Sequence, residues 1–156
     1  MRLAVATIVA TLALSLGAFA NEQCGCTPQS LNGCYAVKDH GDIFKTIDPA
    51  GVIGPGKLQG IAELSFDGNG NFHGFDESVV NGYIISNFGD SKITGTYTIS
   101  RNCTGALHMT FNDTRLPLDV QFVLGDNGKI IFGEATLVGG QQGVLEVQFE
   151  GRRTTD

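Results

Sequence analysis

Short runs of alternating apolar and polar residues, interrupted by glycine, asparagine and aspartate, fill this chain from about Tyr35 to Arg152. Alternation with a period of two is typical of β-strands that bury one face, and these three residue types provide the turns between strands. We count about eight such runs, and about eight tilted strands can close into a barrel that is filled by side chains or holds one small ligand. The sequence therefore predicts an all-β fold, a small antiparallel up-and-down β-barrel of about eight strands, with a β-sandwich as the alternative.

Two turn sequences support sequential hairpins. Asn127-Gly128 is the strongest two-residue hairpin signal in the chain. Residues 67–71 alternate Asp or Asn with Gly, as an EF-hand calcium loop does where it begins. That loop also needs a glycine and then a glutamate where this chain has Phe72 and Ser78. We therefore interpret residues 67–71 as a hairpin turn and expect no metal site.

The N-terminus has the three parts of a secretory signal peptide. Arg2 provides a basic start, a short uncharged apolar run follows it, and Ala18-Phe19-Ala20 is an A-x-A cleavage site. The apolar run is too short to span a membrane comfortably, and no basic cluster follows it. We predict a signal peptide at 1–20, a cysteine-containing lead-in at 21–32 and a β-barrel domain at 33–153. The mature protein would then be exported to the periplasm or the extracellular space, without a transmembrane anchor.

Charge and missing motifs exclude several functional classes. The net charge of −6 at pH 7 repels phosphate backbones, which argues against nucleic-acid binding. The sequence has no phosphate loop, no dinucleotide-binding glycine fingerprint and no G-x-S-x-G nucleophile motif. We therefore expect no cofactor, and no catalytic motif indicates an enzyme. The sequence is silent on the oligomeric state.

All four cysteines lie after the predicted cleavage site, where an oxidising compartment favours disulfides. A bond between Cys24 and Cys26 would close a cramped loop through one glycine, so pairings that include it are disfavoured. Cys103 is far along the chain. We expect it to tie one end of the barrel either to Cys34 or to the N-terminal Cys24-Gly25-Cys26 segment.

Residues 39–60 are the longest stretch without a clear strand pattern, and they contain two prolines and several glycines. Irregular segments of this length in small domains are often lids or binding loops. The alternative is that the stretch hides a short strand or a helical turn around Ile43 and Phe44. The sequence does not decide between them.

Strand starts and turns recur in a recognisable order at residues 31–36, 64–71, 95–99 and 102–105. Through these motifs residues 31–151 resemble exported bacterial proteins described as allene oxide cyclase barrel-like, within the calycin-type barrels. The resemblance implies the barrel fold. Allene oxide cyclases hold an apolar epoxide in the barrel and steer its closure, but their catalytic positions match no residues here. Cys34 stands where Thr or Ser is more usual, which suggests a disulfide of its own.

Two glutamates are candidate catalytic residues because a carboxyl group buried in an apolar barrel has a raised pKa and can act as a general acid or base. Glu77 shares a strand face with His73 and Phe75, and it is catalytic only if that face points inward. Glu134 follows Ile130 and Phe132 with a period of two. The opposite face of that strand, with Ile131 and Ala135, is an equally good inward face.

Four aromatic residues are candidate ligand contacts: Tyr97, Phe75, Phe122 and Phe132. Tyr97 lies on the apolar face of its strand, where its hydroxyl needs a hydrogen-bond partner or a ligand. We expect the barrel to bind a small, largely apolar molecule in its interior or at its mouth. A cofactor-free isomerase or cyclase is the second hypothesis, and a structural or partner-binding exported module is the third. The presence of a cavity would separate the first two from the third.

Overall fold

The computed structural model describes residues 25–47, 53–112 and 117–154. The predicted signal peptide at 1–20 and Cys24 lie outside the described residues. No helix among the described residues is long and apolar enough to cross a membrane.

Nine β-strands lie in the described part of the chain. They are β1 (Asn32–Ile43), β2 (Gly56–Asp67), β3 (Asn71–Val80), β4 (Tyr83–Ser86), β5 (Lys92–Ile99), β6 (Thr104–Phe111), β7 (Pro117–Gly125), β8 (Ile130–Val138) and β9 (Gln141–Arg153). The helical elements among the described residues are two short 3₁₀ turns, at Pro28–Ser30 and Asp126–Gly128.

Eight of these strands form a closed antiparallel barrel. Each barrel strand pairs with the next barrel strand along the chain, and β9 pairs with β1 to close the ring. The extra strand, β4, pairs only with the last residues of β3, while β5 pairs with the first residues of β3. The prediction of an all-β up-and-down barrel is confirmed, and the sandwich alternative is wrong.

The alternation of the sequence sets which residues point into the barrel. On β3 the buried residues include Phe72 and Asp76, while His73 and Phe75 are exposed. Because side chains alternate along a strand, the whole face that carries Glu77 points outward. Glu77 is therefore outside the barrel, on the edge of a shallow surface groove.

One end of the barrel is plugged by the first 3₁₀ turn. Leu31 is fully buried there, and the Tyr97 hydroxyl lies 3.0 Å from the carbonyl oxygen of Pro28 and 2.9 Å from that of Leu31. A disulfide between Cys26 and Cys103 ties the segment before the plug to the turn between β5 and β6. We call this end the plugged end.

Aromatic and cationic side chains fill the space behind the plug. The Phe66 ring packs against the rings of Tyr35, Phe72 and Tyr97 at centroid distances of 5.3, 5.2 and 5.4 Å. The Tyr35 hydroxyl donates to the carbonyl oxygen of Gly128 and accepts from Nη2 of Arg153 at 2.9 Å. Burial raises the pKa of Tyr35, so the phenol stays neutral. These side chains do not line the cavity described below.

The cysteine expectations are settled in part by this geometry. Of the two partners left open for Cys103, the Cys-Gly-Cys segment is the one used, through Cys26. The expectation of a separate disulfide for Cys34 is not met within the described residues, where its Sγ lies 3.9 Å from Oγ of Ser65.

The interpretation of residues 67–71 as a hairpin turn is confirmed. Oδ1 of Asp67 accepts hydrogen bonds from the backbone N–H of Asn69 at 2.7 Å and of Asn71 at 2.9 Å. The Asn71 side chain donates to Oδ2 at 2.8 Å. These bonds, led by the one from the Asn71 side chain, lower the pKa of Asp67. The carboxylate therefore serves to hold the turn.

The stretch at 39–60 is only partly irregular, because β1 continues to Ile43 and β2 begins at Gly56. Its glycines inside strands reflect close packing. A Cβ at Gly41 would overlap the backbone of Glu146, and a Cβ at Gly60 would lie 2.6 Å from Oδ2 of Asp39. The stretch therefore contains the end of one strand and the beginning of the next, and a lid or binding loop between them stays a prediction.

Candidate functional site

A cavity of about 150 Å³ occupies the half of the barrel away from the plugged end. All eight barrel strands contribute to its wall, and most of the wall is apolar. Leu107 and Met109 come from β6, Ala135 from β8, and Val147 from β9. The cluster of Tyr35, Phe66, Phe72 and Tyr97 does not line the cavity, whose wall is mostly aliphatic with Phe111 and Phe149.

Two described residues between β1 and β2 line one end of this cavity. Ile47 and Ile53 both line it, and the N–H of Ile47 donates to the carbonyl oxygen of Ile53 at 2.9 Å. Ile85 of the extra strand β4 lines the same end. Phe44 follows the lining residue Ile43 in the chain, and Tyr83 belongs to β4 with Ile85; they expose 51% and 78% of their surface. We call these two exposed aromatic residues the apolar rim.

Two aspartates lie in this mostly apolar wall. Asp39 shares the inward face of β1 with Val37 and Ile43, and Asp76 shares the inward face of β3 with Phe72. Oδ2 of Asp76 accepts hydrogen bonds from two hydroxyl groups that also line the cavity. They are those of Ser78 at 3.0 Å and Ser86 at 2.7 Å.

Each aspartate has one carboxylate oxygen without a partner in the described part of the chain. Oδ1 of Asp39 and Oδ1 of Asp76 are buried and have no hydrogen-bond partner among the described residues. Buried polar groups are normally paired, so an unpaired oxygen marks strain or a place for a ligand. No Lys, Arg or His side chain lines the cavity in the described ranges.

Burial and the neighbouring charge of Asp76 change the acidity of Asp39. Burial, and after it the negative charge of Asp76, raises the pKa of Asp39 from 3.8 to about 6. At neutral pH Asp39 is still mostly ionised, but it takes up a proton easily on mild acidification. The cavity therefore has an electronegative wall that can accept a hydrogen bond, pair with a cation or accept a proton.

The sequence-predicted carboxylates lie elsewhere. Glu134 is exposed on the outer face of β8, between Gln121 of β7 and Gln148 of β9. Glu77 is on the outer face of β3, opposite Ile61. Neither lines the cavity, because on both strands the opposite face points into the barrel.

The four predicted aromatic contacts are divided between two places. Phe75 and Phe132 are 38% and 46% exposed on the outer surface. Phe122 and Tyr97 point inward but lie nearer the plugged end and do not line the cavity. The Tyr97 hydroxyl, for which a partner or ligand was required, bonds to the plug.

Asp39 and Asp76 could have been found only by choosing the correct strand phase. Continuing the period of two from Tyr35 and Val37 leads to Asp39, Gly41 and Ile43, all on the inner face. The glycine and the neighbouring polar residues made this stretch look like a loop. On β3 the two phenylalanines have opposite phase, so the alternation alone did not identify the buried face.

Comparison with known proteins adds little beyond the architecture. No family model matches the chain, and no curated protein matches it. Among solved structures, a de novo designed fluorescence-activating β-barrel is similar, with a TM-score of 0.47 and 9% sequence identity. The match covers 81% of this chain and 96% of the designed chain. At this level the likeness concerns the fold alone, so the site is interpreted from its own residues.

Proposed function

We propose that this barrel binds one small, largely apolar molecule in the cavity at its open half. The cavity itself is the observation that carries the proposal, because a solid barrel would leave no room for a ligand. Its volume is about 150 Å³. An engineered apolar cavity of about 150 Å³ binds benzene, whereas drug-sized ligands use pockets of roughly 300–1,000 Å³.

The ligand is therefore of single-ring size, or it is longer and leaves part of its length at the apolar rim. Binding is driven by removal of apolar surface from water, at about 25 cal/mol per Å². The side chains that would contact the ligand are Leu107, Met109 and Val147, which line the cavity with several other aliphatic residues. The two aspartates give one part of the wall a polar character.

Filling the cavity should abolish binding of an apolar probe. Ala135 is 1% exposed and lines the cavity, so Ala135→Leu places three more carbon atoms inside it. We expect the affinity for ethylbenzene, measured by calorimetry or by NMR titration, to fall at least tenfold. The matched control is Ala36→Leu on the exposed outer face of β1, which should leave the affinity unchanged.

Equal affinities of the wild type and Ala135→Leu would contradict an internal site. No measurable binding of ethylbenzene, benzyl alcohol or benzylamine to the wild type would favour the third hypothesis, a structural or partner-binding exported module. Thermal unfolding of both variants shows whether the folds are comparable.

A cofactor-free isomerase or cyclase is the second candidate function. It is favoured by Asp39, a carboxyl group in the cavity wall whose pKa of about 6 suits proton transfer near neutral pH. It also agrees with a relation to allene oxide cyclase barrel-like proteins, which we propose and which the barrel architecture supports. A cavity-sized ketone that exchanged its α-hydrogens in D₂O with the wild type, and not with Asp39→Asn, would support catalysis. Absence of exchange would count against it.

Export with removal of residues 1–20 is proposed from the N-terminal sequence and is supported by the Cys26–Cys103 disulfide. We expect the protein recovered from periplasm or medium to begin at Asn21. Intact-mass measurement and N-terminal sequencing check this, with Ala20→Arg as the variant that should slow cleavage. Recovery of the full-length chain from the cytoplasm alone would contradict export.

A further inference from the structure

We propose that the cavity selects a cationic ligand, a small apolar molecule that carries a protonated amine held between the carboxylates of Asp39 and Asp76. This inference rests on the proposed function, since it names the chemical class of the molecule in the same cavity. It is carried by two buried carboxylate oxygens that have no partner among the described residues, in a wall to which those residues contribute no positive charge.

The geometry around Asp76 leaves one acceptor free. Asp76 is 4% exposed, and its Oδ2 is already used by the hydroxyl groups of Ser78 and Ser86. These two bonds fix the carboxylate in place on the cavity wall. Oδ1 is buried without a partner in the described structure, and it is the position at which a donor from a ligand would be satisfied.

Asp39 provides the second acceptor from the neighbouring part of the wall. β1 and β3 both flank β2, on which Gly60 pairs with Asp39 and Ala62 pairs with Asp76. The small size of these two β2 residues leaves room for both carboxylates on the inner surface. A Cβ at Gly60 would lie 2.6 Å from Oδ2 of Asp39, so the carboxylate occupies the space that a side chain would take.

Two carboxylates of like sign in an apolar cavity are unfavourable unless a positive charge or a proton compensates them. An ammonium group does so with three N–H donors and a full positive charge, and charge-assisted hydrogen bonds are stronger than neutral ones. An alcohol supplies one donor and no charge. A ketone or an ester supplies only acceptors, which repel the carboxylates.

A hard metal ion fits the wall less well than an ammonium group. Ca²⁺ takes roughly six to eight oxygen ligands, whereas the oxygen-bearing side chains of this wall are two aspartates and two serines. No group of three or more His, Cys, Asp or Glu side chains among the described residues is placed to hold a metal ion. The apolar remainder of the wall suits the hydrocarbon part of an amine.

Three probes of matched size test the inference on the folded wild-type protein at pH 7.5. Benzylamine carries the ammonium group, benzyl alcohol replaces it by a hydroxyl, and ethylbenzene replaces it by a methyl group. We expect benzylamine to bind at least tenfold more tightly than either neutral probe in calorimetric or NMR titrations. Asp39→Asn and Asp76→Asn should each remove most of this preference, because the negative charge that pairs with the ammonium group is lost.

Glu63→Gln is the matched control, since Glu63 is an exposed carboxylate on the outer face of β2. It should leave the preference for benzylamine unchanged. A preference that Glu63→Gln weakened as much as the two cavity variants would indicate attraction by the net surface charge and would overturn the inference. Thermal unfolding of each variant confirms that it is folded.

The outcomes separate this inference from the proposed function. Binding of ethylbenzene with no preference for benzylamine would overturn the inference and leave apolar binding standing. Binding of none of the three probes would count against both. A tenfold preference that disappears in both cavity variants, and persists in Glu63→Gln, is the expected result.

Discussion

Loss of the Cys26–Cys103 disulfide is expected to lower the free energy of unfolding by about 4 to 5 kcal/mol. The two cysteines are 77 residues apart, so the bond closes a long loop and lowers the conformational entropy of the unfolded chain. The total free energy of unfolding of a small domain is about 5–15 kcal/mol, so the disulfide contributes a large share of it. In the folded protein, the same bond holds the segment before the plug against the turn between β5 and β6.

Urea unfolding at equal protein concentration measures this effect. The test variant is Cys26→Ala with Cys103→Ala, and the control is Cys34→Ala, which removes a thiol that forms no disulfide in the described structure. We expect the control to stay within about 1 kcal/mol of the wild type. A double variant as stable as the control would show that the plug is held without the disulfide.

Mild acidification is expected to stabilise the fold through Asp39. Its pKa is about 6 in the folded protein against 3.8 ordinarily, so the folded state binds this proton more tightly than the unfolded chain. The contribution is complete below pH 3.8 and is lost as the pH rises through about 6. The difference corresponds to roughly 2–3 kcal/mol between pH 4 and pH 8.

The groups around Asp39 are consistent with its raised pKa. Gly60 of β2 and Phe149 of β9 pair with it and carry no charge, while Asp76 faces it from β3. Lys38, His40 and Glu77 border the outer groove that Asp39 also reaches. The two basic groups are on the solvent side, where screening weakens their effect on a carboxyl group in the wall.

Asp39→Asn should remove this pH dependence, because asparagine resembles the protonated carboxyl group. At pH 8 we expect the variant to be more stable than the wild type by roughly 2–3 kcal/mol, with the difference shrinking toward zero at pH 4. Urea unfolding across this range checks it, with Glu63→Gln as the surface control. A variant less stable than the wild type at pH 8 would mean that the Asp39 carboxylate already has a compensating partner.

The strand order could be predicted from the sequence because barrel strands that follow each other in the chain also pair with each other. A hairpin connects neighbours in sequence, and turns such as the one at 67–71 identify themselves by Asp, Asn and Gly. Closure of β9 against β1 follows from strand number and twist. The plug was not predictable, because the bonds from Tyr97 to Pro28 and Leu31 join residues far apart in sequence.

The phase of individual strands was harder to predict. On β8, Ile130 and Phe132 compete with Ile131 and Ala135, and both sets are apolar. The structure buries Ile131 and Ala135 and exposes Phe132, so Glu134 points outward. Which face of β8 is buried depends on packing across the barrel. In the folded protein the small Ala135 lies in the cavity wall.

The site was missed for a related reason. Asp39 lies in a glycine-containing stretch, and glycine in a sequence ordinarily suggests a turn. Here Gly41 allows close approach of the β9 backbone and Gly60 leaves space for a carboxylate. Those roles depend on partner strands that only the folded barrel brings together.

Intermolecular NOEs between benzylamine and methyl-labelled protein test the location of the ligand most directly. We predict NOEs from the probe to the methyl groups of Met109, Ala135 and Val147, which line the cavity. The same NOEs should disappear in Ala135→Leu and persist in Ala36→Leu. NOEs confined to Ile61 and Val79, which border the groove on the outer surface, would contradict an internal ligand site.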